Sequence, residues 1–176
     1  MTDQYIFTSA RLGFRAWRPT DIVPMAAINA DAEVMEFFPD TKTLAETEEF
    51  IVRMQQQQGD KGYCYYAVDV LSSGLFIGFI GLCYQTYDAP FTPCTDIGWR
   101  LHKQVWGMGY ATEGAERCLE YGLNDLRLKE IYAIAPKINT RSVQVMNKIG
   151  MQKVGEFQHP LLVGDDRLRD CVVYKT

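Results

Sequence analysis

Two runs of aromatic and β-branched residues lie close together in the first half of the chain. Residues 63–70 read Y-C-Y-Y-A-V-D-V, and residues 75–84 read L-F-I-G-F-I-G-L-C-Y. The short connection between them contains Ser-Ser-Gly at positions 72–74. Such residues favour strands, and a short glycine-containing connection favours antiparallel pairing of the two strands. The pattern therefore predicts a β-hairpin, so the fold must contain a sheet.

Helical and strand patterns alternate on both sides of this hairpin. Thr43 followed by Glu46 is a capping box, which predicts a helix that runs to about Gln57 and stops at Gly59. With no linker or internal repeat, the order of elements predicts one mixed α/β domain over residues 1–176. The other predicted strands are 11–17, 95–101, 130–135, 152–157 and 169–174, and the other predicted helices are 20–30, 32–38, 110–126 and 140–149.

Composition narrows the class of protein. The chain is 47% hydrophobic and 23% charged, which is typical of a folded domain. No apolar run approaches the ~20 residues that span a bilayer, so we expect no membrane partner. The opening M-T-D-Q-Y-I-F lacks the lysines and the long apolar stretch of a signal peptide. We therefore expect a cytoplasmic protein.

Charge and cysteine usage exclude further classes. The formal net charge is −4 and no basic run is present, which argues against a nucleic-acid partner. An acidic balance is compatible with a cationic substrate. The five cysteines are odd in number, far apart and without a C-x-x-C pair, and only two histidines, His102 and His159, accompany them. This is typical of neither a disulfide framework nor a metal site, so we expect no metal.

The stretch Q-V-W-G-M-G-Y-A places Gly107 and Gly109 just before the predicted helix 110–126. Unpaired N–H groups at a helix start attract anions, and glycine lets a phosphate approach the main chain closely. A P-loop would need Gly-Lys-Ser/Thr, and a dinucleotide fingerprint would need a third small residue where Thr112 stands. Two interpretations stay open. The glycines serve helix packing alone, or, with Gln104, they form the Gln/Arg-x-x-Gly-x-Gly/Ala pyrophosphate loop of an acyl-CoA transferase.

Two longer segments carry a family resemblance. T-D-I-G-W-R-L-H-K-Q-V-W-G-M-G-Y-A-T-E-G-A over residues 95–115 resembles the cofactor motif of the GNAT family of N-acetyltransferases. N-T-R-S-V-Q-V-M-N-K-I-G-M over residues 139–151 is similar to the family's Asn-x-x-Ser-x-x-Val-x-x-Lys-x-Gly-Phe segment, with Met151 in place of the phenylalanine. The opening R-L-G-F-R-A-W-R-P-T-D and the closing G-D-D-R-L-R-D-C-V-V-Y also fit, so the resemblance extends from about Ser9 onward.

The string Trp-Gly-x-Gly-Tyr-Ala-x-Glu is most like the branch of ribosomal-protein N-terminal alanine and serine acetyltransferases, which we call RimJ/RimL-like. The resemblance implies the GNAT fold, an α/β (α+β) arrangement in which a mixed, mostly antiparallel sheet of six to seven strands carries about four helices on both faces. It also implies transfer of an acetyl group from acetyl-CoA, as co-substrate, to a primary amine by direct attack in a ternary complex.

The acceptor implied is a protein N-terminal α-amine or a small-molecule amine. A homodimer is a further expectation, which the resemblance does not supply. A lysine-like amine, with a pKa near ~10.4, is almost fully protonated at pH 7, so its proton must be removed directly or through water. The alternative function is a non-catalytic acyl-CoA-binding or regulatory protein with the same fold.

The resemblance also implies site residues. Many family members use a tyrosine seven residues after the asparagine, but Met146 stands there. The ribosomal-protein branch instead uses the serine three residues after the asparagine, so the resemblance implies Ser142 as the partner of the leaving thiolate. The alternative is a small polar residue in the first turn of a helix that satisfies backbone groups. Asp96 is the candidate base; a solvent-facing carboxylate at a strand end, or a bulk-water route without a base, is the alternative. The implied cofactor-binding residues, along a strand that splays from its neighbour and the loop after it, are Ile97, Trp99, Leu101, Gln104, Val105, Trp106, Gly107, Met108, Gly109, Tyr110, Ala111, Asn139 and Ser142.

Roles are also expected for Glu113, for His102 and for a group of aromatic residues. Glu113 is expected to stabilise the start of its helix rather than act as a base. His102 is expected to help phosphate binding or to lie on the surface. Aromatic residues that could line the acceptor site, although the stronger expectation for most of them is the core, are Phe37, Phe38, Tyr63, Tyr65 and Trp17.

Overall fold

One eight-stranded sheet organises the computed structural model, which describes residues 4–176. The strand order is β1-β2-β3-β4-β5-β6-β8-β7, and every neighbouring pair is antiparallel except β5 and β6. The strands are β1 (Phe7–Thr8), β2 (Leu12–Arg15), β3 (Tyr65–Val70), β4 (Leu75–Gln85), β5 (Cys94–Leu101), β6 (Tyr132–Pro136), β7 (Gln152–Gln158) and β8 (Asp170–Lys175). The helices are α1 (Ile22–Ala30), α2 (Leu44–Lys61), α3 (Tyr110–Glu120) and α4 (Thr140–Lys148).

This architecture confirms the predicted α/β class and the mostly antiparallel sheet. The predicted hairpin is β3–β4, in register from Tyr65↔Gly81 to Val70↔Leu75. The sheet contains one strand more than the six to seven expected. The additional strand β1 has only two residues, which is too short to leave an alternating pattern in the sequence.

One predicted helix is absent, and two helices end elsewhere than predicted. No helix forms over residues 32–38, where the chain makes successive turns and the Asp31 carboxylate accepts hydrogen bonds from the amides of Glu33 and Val34. Helix α2 continues through Gly59 and ends at Gly62, which is left-handed with φ 82°. Interior glycine costs a helix only about 1 kcal/mol, whereas the left-handed cap pairs the Gly62 amide with a helix carbonyl. Past Glu120, the predicted helix 110–126 becomes a single π-helical turn.

The two faces of the sheet carry different helices. On one face Gly114 of α3 packs so closely on Ile80 of β4 that a Cβ would collide with it. On the other face the ring of Phe50 from α2 lies 5.3 Å from that of Phe79. Side chains alternate between faces along a strand. The face that carries α1 and α2 therefore also carries Asp96, Gly98 and Arg100 of β5. Because the acceptor site is expected on this side, it is called the acceptor face.

A buried ion cluster ties the first strands to the start of α1. The Arg15 guanidinium contacts the Asp21 carboxylate at 2.7 Å and the Asp69 carboxylate at 2.7 Å, and all three side chains are buried. Each charge therefore has a partner of opposite sign, as buried charges require. No helix within residues 4–176 has the length and apolar character needed to cross a membrane.

Replacing Arg15 by methionine is expected to lower the free energy of unfolding by about 3–5 kcal/mol, because two buried carboxylates lose their counter-charge. Urea denaturation followed by circular dichroism measures the change. Arg53→Met is the control, since Arg53 is exposed on α2. A loss below about 1 kcal/mol in the Arg15 variant would contradict the interpretation of this cluster as a mutually dependent unit.

Candidate active site

The sheet opens between β5 and β6. These two parallel strands are paired at one position, Asp96↔Tyr132. Beyond it β5 stays paired with β4 as far as Leu101, while β6 stays paired with β8 as far as Pro136. Backbone groups on the open edge of β5 therefore lack a neighbouring strand. A cavity of about 590 Å³ lies in this opening, which we call the β5–β6 cleft.

The start of α3 borders the cleft, and no side chain within residues 4–176 caps it. Its N-cap residue, Gly109, is left-handed with φ 81°, and Gly107 is left-handed with φ 76°. By contrast, α2 is capped by the Thr43 side chain and α4 by the Asn139 side chain. The first amides of α3 are thus free to bind an anion, with the helix dipole adding partial positive charge. A Cβ at Gly107 would meet only open space, so this surface is bare main chain.

Side chains from the N-terminal turn hold this loop in place. The Glu113 carboxylate accepts hydrogen bonds from the Ser9 hydroxyl, the Arg11 amide and Arg11 Nε, at 2.7, 2.8 and 2.6 Å. Arg11 Nη1 donates to the Met108 carbonyl at 3.0 Å. Glu113 therefore anchors the start of α3, in agreement with the expectation for it. His102 accepts a hydrogen bond from the Gln104 amide at 3.2 Å and so caps the short turn before the loop.

Most of the residues expected to bind the cofactor line the cleft. The two that do not are Gln104 and Met108, whose side chains are exposed on either side of the buried Val105 and partly buried Trp106. Gln104 and Met108 can therefore contribute to the loop only through their backbone atoms. The expected residues that line the cavity are Ile97, Trp99, Leu101, Val105, Trp106, Gly107, Gly109, Tyr110, Ala111, Asn139 and Ser142.

Asn139 and Ser142 meet at the start of α4. Asn139 Oδ1 accepts a hydrogen bond from the Ser142 amide at 3.1 Å, which leaves the Asn139 Nδ2 group available to a ligand. The Ser142 hydroxyl makes no hydrogen bond to any group in residues 4–176, although the residue lines the cleft. Met146, one turn further along α4, is buried and also lines the cleft. The hydroxyl is therefore a polar group that this turn of the helix can offer to a bound molecule.

Asp96 lies at the closed end of the cleft and is only 8% exposed. The expectation of a solvent-facing carboxylate at a strand end is wrong for this residue. Its Oδ1 accepts a hydrogen bond from the Tyr65 hydroxyl at 2.6 Å, and its Oδ2 accepts one from Gln85 Nε2 at 3.0 Å. Burial raises the pKa of the carboxyl to about 6, and the two hydrogen bonds oppose that rise. A carboxyl with this pKa changes protonation near neutral pH, as a general base requires.

The acceptor face of the cleft is aromatic. Of the five aromatic residues considered from the sequence, Phe37, Phe38 and Tyr65 line the cavity. Trp17 and Tyr63 are buried in the core, where their polar atoms donate to or share hydrogen bonds with Tyr65 and Thr95. Lining residues that the sequence reasoning did not name include Phe50, Phe79 and Arg100. The alternation of the predicted strand 95–101 would have placed Arg100 on the same face as Asp96.

The described residues 4–176 contain no group of three or more His, Cys, Asp or Glu side chains that could hold a metal ion. The five cysteines are free and buried. Burial raises the pKa of the Cys83 thiol to about 12, so near neutrality it remains protonated. None of the five lines the β5–β6 cleft.

Comparison with known proteins agrees with this geometry. A family model described as "Acetyltransferase (GNAT) domain" matches residues 11–152. The uncharacterized N-acetyltransferase YnaD of Bacillus subtilis (strain 168) is 28% identical over 160 residues, which cover 90% of this chain and 89% of YnaD. The crystal structure of a GNAT-family acetyltransferase from Bacillus anthracis superimposes with a TM-score of 0.79 at 24% identity, over 96% of each chain.

RimL, the ribosomal L7/L12 α-N-protein acetyltransferase solved in complex with coenzyme A, superimposes with a TM-score of 0.77 over 97% of this chain and 96% of its own. Its identity to this chain is 14%. At such identities the likeness of two structures shows the fold alone, while the family model spans most of this sequence. The uncapped helix and the opened sheet agree with the family-model match over residues 11–152. That match shows that the chain belongs to the GNAT family of acetyltransferases.

Proposed function

We propose that the protein transfers the acetyl group of acetyl-CoA to a primary amine, which attacks directly while both substrates are bound. One observation carries the proposal: the β5–β6 cleft brings an uncapped helix start and a buried carboxylate with raised pKa into one cavity. The first is suited to a diphosphate and the second to the removal of a proton from an amine.

The residues present fit acetyl-CoA at its anionic end and along its arm. Amides of residues 107–111 would bind the pyrophosphate, because glycines leave the main chain exposed there. The open edge of β5, from Ile97 to Leu101, would pair with the amide groups of the pantetheine arm as a neighbouring strand would. Asn139 Nδ2 would donate to the same arm. The bound group supplies an acetyl thioester, whose thiolate is a good leaving group at neutral pH.

Asp96 would act on the acceptor. Above its pKa the ionised carboxylate accepts a proton from the acceptor ammonium, directly or through one water, and the neutral amine then attacks the thioester carbonyl. Tyr65 holds this carboxylate in place, and burial raises the pKa of Tyr65 well above its usual value, so the hydroxyl stays a hydrogen-bond donor. This assignment competes with a bulk-water route that uses no dedicated base.

Ser142 would donate a hydrogen bond to the leaving thiolate, and Ser142→Ala is expected to lower kcat about tenfold with little change in the acetyl-CoA dissociation constant. The effect is modest because a free thiol has a pKa near ~8.5 and leaves readily without help. Ser142→Thr, which keeps a hydroxyl, should recover most of the rate. Steady-state kinetics and calorimetry measure the two quantities, and a kcat that is the same in the alanine variant would remove Ser142 from the mechanism.

The test of the function has two steps. Acetyl-CoA is titrated into the protein by calorimetry, and thiol release is then followed with N-terminal peptides of ribosomal proteins, polyamines and aminoglycosides. Steady release of coenzyme A with any amine supports the transferase. Tight binding of acetyl-CoA without turnover across the panel would favour the alternative, a non-catalytic acyl-CoA-binding or regulatory protein.

The finer assignments rest on the sequence. We assign the chain to the RimJ/RimL-like branch from its Trp-Gly-x-Gly-Tyr-Ala-x-Glu string, which makes a protein N-terminus the first acceptor to try. We expect the cytoplasm as its compartment, because five free thiols are usual in a reducing environment. A homodimer stays a prediction, which light scattering of the purified protein tests.

A further inference from the structure

Arg100 is a cation in the wall of the cavity with few partners. It extends from β5 on the acceptor face and lines the cleft. Its Nη1 donates to the side-chain oxygen of Asn29 at 2.6 Å. Its Cζ lies 4.1 Å from the centre of the Phe38 ring and 5.4 Å from that of the Phe79 ring. Its Nε is buried and has no hydrogen-bond partner within residues 4–176.

No carboxylate in the described part of the chain lies within 4.0 Å of this guanidinium. Glu33, which also lines the cavity, lies 3.6 Å from Lys103. Glu36 pairs with Arg141 at 3.3 Å. Asp96 is four residues away on the same strand, or about 13 Å along it, and its oxygens are engaged by Tyr65 and Gln85.

The contrast with Arg15 shows that this arrangement is unusual within the molecule. Arg15 is buried with two carboxylates, Asp21 and Asp69, whereas Arg100 has one neutral amide oxygen and two rings. Burial lowers the pKa of the Arg100 guanidinium to about 10, at which it is still protonated near neutrality. A partly buried cation without a counter-charge is unfavourable unless a ligand supplies the anion.

The position of Arg100 indicates which ligand supplies that anion. The uncapped start of α3 belongs to the helix on the opposite face of the sheet, where it packs on Ile80. Arg100 is instead on the face of Phe79, Phe38 and Asp96, next to the turns between α1 and α2. Its partner is therefore a molecule on the acceptor face rather than the diphosphate of coenzyme A.

We propose that Arg100 binds a carboxylate of the acceptor, so that the substrate is a primary amine that also carries a carboxylate. This rests on the proposed acetyl transfer and names its substrate class. The amine lies toward Asp96, and the carboxylate accepts hydrogen bonds from the N–H groups of Arg100 Nη2, which have no hydrogen-bond partner within residues 4–176. The connecting atoms pack on the rings of Tyr65 and Phe79. A polyamine would place a second cation against Arg100 and is a poor fit.

Two sources can supply this chemistry: a free amino-carboxylic compound, or a peptide N-terminus followed by an acidic side chain. The test therefore uses two matched sets of acceptors. One set compares ω-amino carboxylates of increasing length with their amides. The other compares the C-terminally amidated tripeptides Ala-Glu-Ala and Ala-Gln-Ala. Spermidine completes the panel.

In the wild-type protein, kcat/KM for the carboxylate member of at least one pair is expected to exceed that of its amide about 10- to 100-fold, the size of a charge-assisted hydrogen bond. Arg100→Met keeps an apolar stem between the rings and should abolish this preference, chiefly by lowering kcat/KM for the carboxylate member of the pair, while the acetyl-CoA KM stays within about threefold. Arg100→Lys should recover part of the preference. The set that shows it identifies the source.

Arg53→Gln is the control, because it removes one positive charge, as Arg100→Met does, from an exposed position on α2. This variant should leave the preference intact. Equal rates for carboxylate and amide in both sets, or an equal loss for both members of each pair in Arg100→Met, would overturn the proposal. Should no amine turn over, the same compounds are titrated by calorimetry into protein saturated with coenzyme A. Carboxylate binding that Arg100→Met removes would then uphold the anion site while acetyl transfer fails; binding equal in both proteins would overturn the site.

Discussion

Replacing Asp96 by asparagine is expected to lower kcat about 10²- to 10⁴-fold, the range that general acid–base catalysis contributes. The change keeps the size of the side chain and an oxygen that can accept the hydrogen bond from Tyr65, so the cavity keeps its shape. Burial raises the pKa of the Asp96 carboxyl to about 6. In the wild-type protein, log kcat/KM should therefore fall with a slope of about one as the pH drops below 6, because a protonated carboxyl cannot accept the amine's proton.

The fall of log kcat/KM below pH 6 is the acidic limb of the pH profile. The pH at which this limb begins distinguishes a catalytic base from a structural residue. Each variant is compared with wild type on the same acceptor, so that the ionisation of the amine cancels in the ratio. Asp96→Asn should lack the limb that wild type shows near pH 6. In Tyr65→Phe the limb should move to higher pH, because the hydrogen bond from Tyr65 lowers the pKa of Asp96 and is lost in that variant.

The same raised pKa predicts the effect on stability, with a definite sign. The carboxyl ionises near pH 3.8 in the unfolded chain and near 6 in the fold, so between these values the folded protein binds more protons. Stability therefore falls as the pH rises through this window, and above pH 6 the ionised group costs the fold about 3 kcal/mol, at 1.36 kcal/mol per pKa unit. Asp96→Asn removes that cost and should raise the free energy of unfolding at pH 7 by about 1–3 kcal/mol.

If Asp96 serves catalysis, Asp96→Asn should be less active but more stable than the wild-type protein. Thermal denaturation at pH 4 and pH 7 measures the stability, and the gain in the free energy of unfolding should be smaller at pH 4. A variant with wild-type kcat would leave the bulk-water route as the mechanism. A variant that is destabilised at pH 7 would show that Asp96 serves the fold.

Replacing Gly109 by valine is expected to raise the acetyl-CoA KM by about 10²-fold or more, with a smaller change in kcat. The branched side chain would crowd Arg11, whose Nη2 lies 3.4 Å from the position of a Cβ, and would disturb the loop that presents the first amides of α3 to a diphosphate. Each hydrogen bond to a charged group contributes about 1.5–3 kcal/mol, so the loss of two accounts for this factor. Steady-state kinetics with varied acetyl-CoA, together with calorimetry, measures the change.

The chain provides a matched control for the backbone strain that this substitution also introduces. Gly62, at the end of α2, has φ 82° and ψ 1°, and Gly109 has φ 81° and ψ 2°. Valine at either position should cost about 1–2 kcal/mol of stability, because the left-handed conformation is unfavourable for any residue with a Cβ. Gly62 is outside the cleft, so Gly62→Val should keep the wild-type KM. Equal kinetics in the two variants would contradict the placement of the pyrophosphate.

Local features were predicted well because neighbouring residues determine them. The box at Thr43 and Glu46 depends on two side chains three positions apart, and the structure confirms it through the hydrogen bond from the Glu46 amide to Thr43 Oγ1 at 3.2 Å. The β3–β4 hairpin was predicted for the same reason. The end of α2 was predicted wrongly at Gly59, since a glycine inside a helix and one that ends it look alike until the surrounding structure is known.

The sequence by itself determined the hairpin, the capped and uncapped helix starts, and the glycine pair before α3, because each follows from backbone preferences and short spacings. Only the tertiary structure decided the environments of Asp96 and Arg100. Asp96 is buried under Tyr65, which is 31 positions away in the chain, and the nearest acceptor for Arg100 is Asn29, 71 positions away. Strand register and helix packing create those contacts. The raised pKa of Asp96 and the lack of a carboxylate beside Arg100 therefore arise only when the sheet is assembled. Distant residues then exclude water from Asp96, and no acidic side chain comes close enough to pair with Arg100.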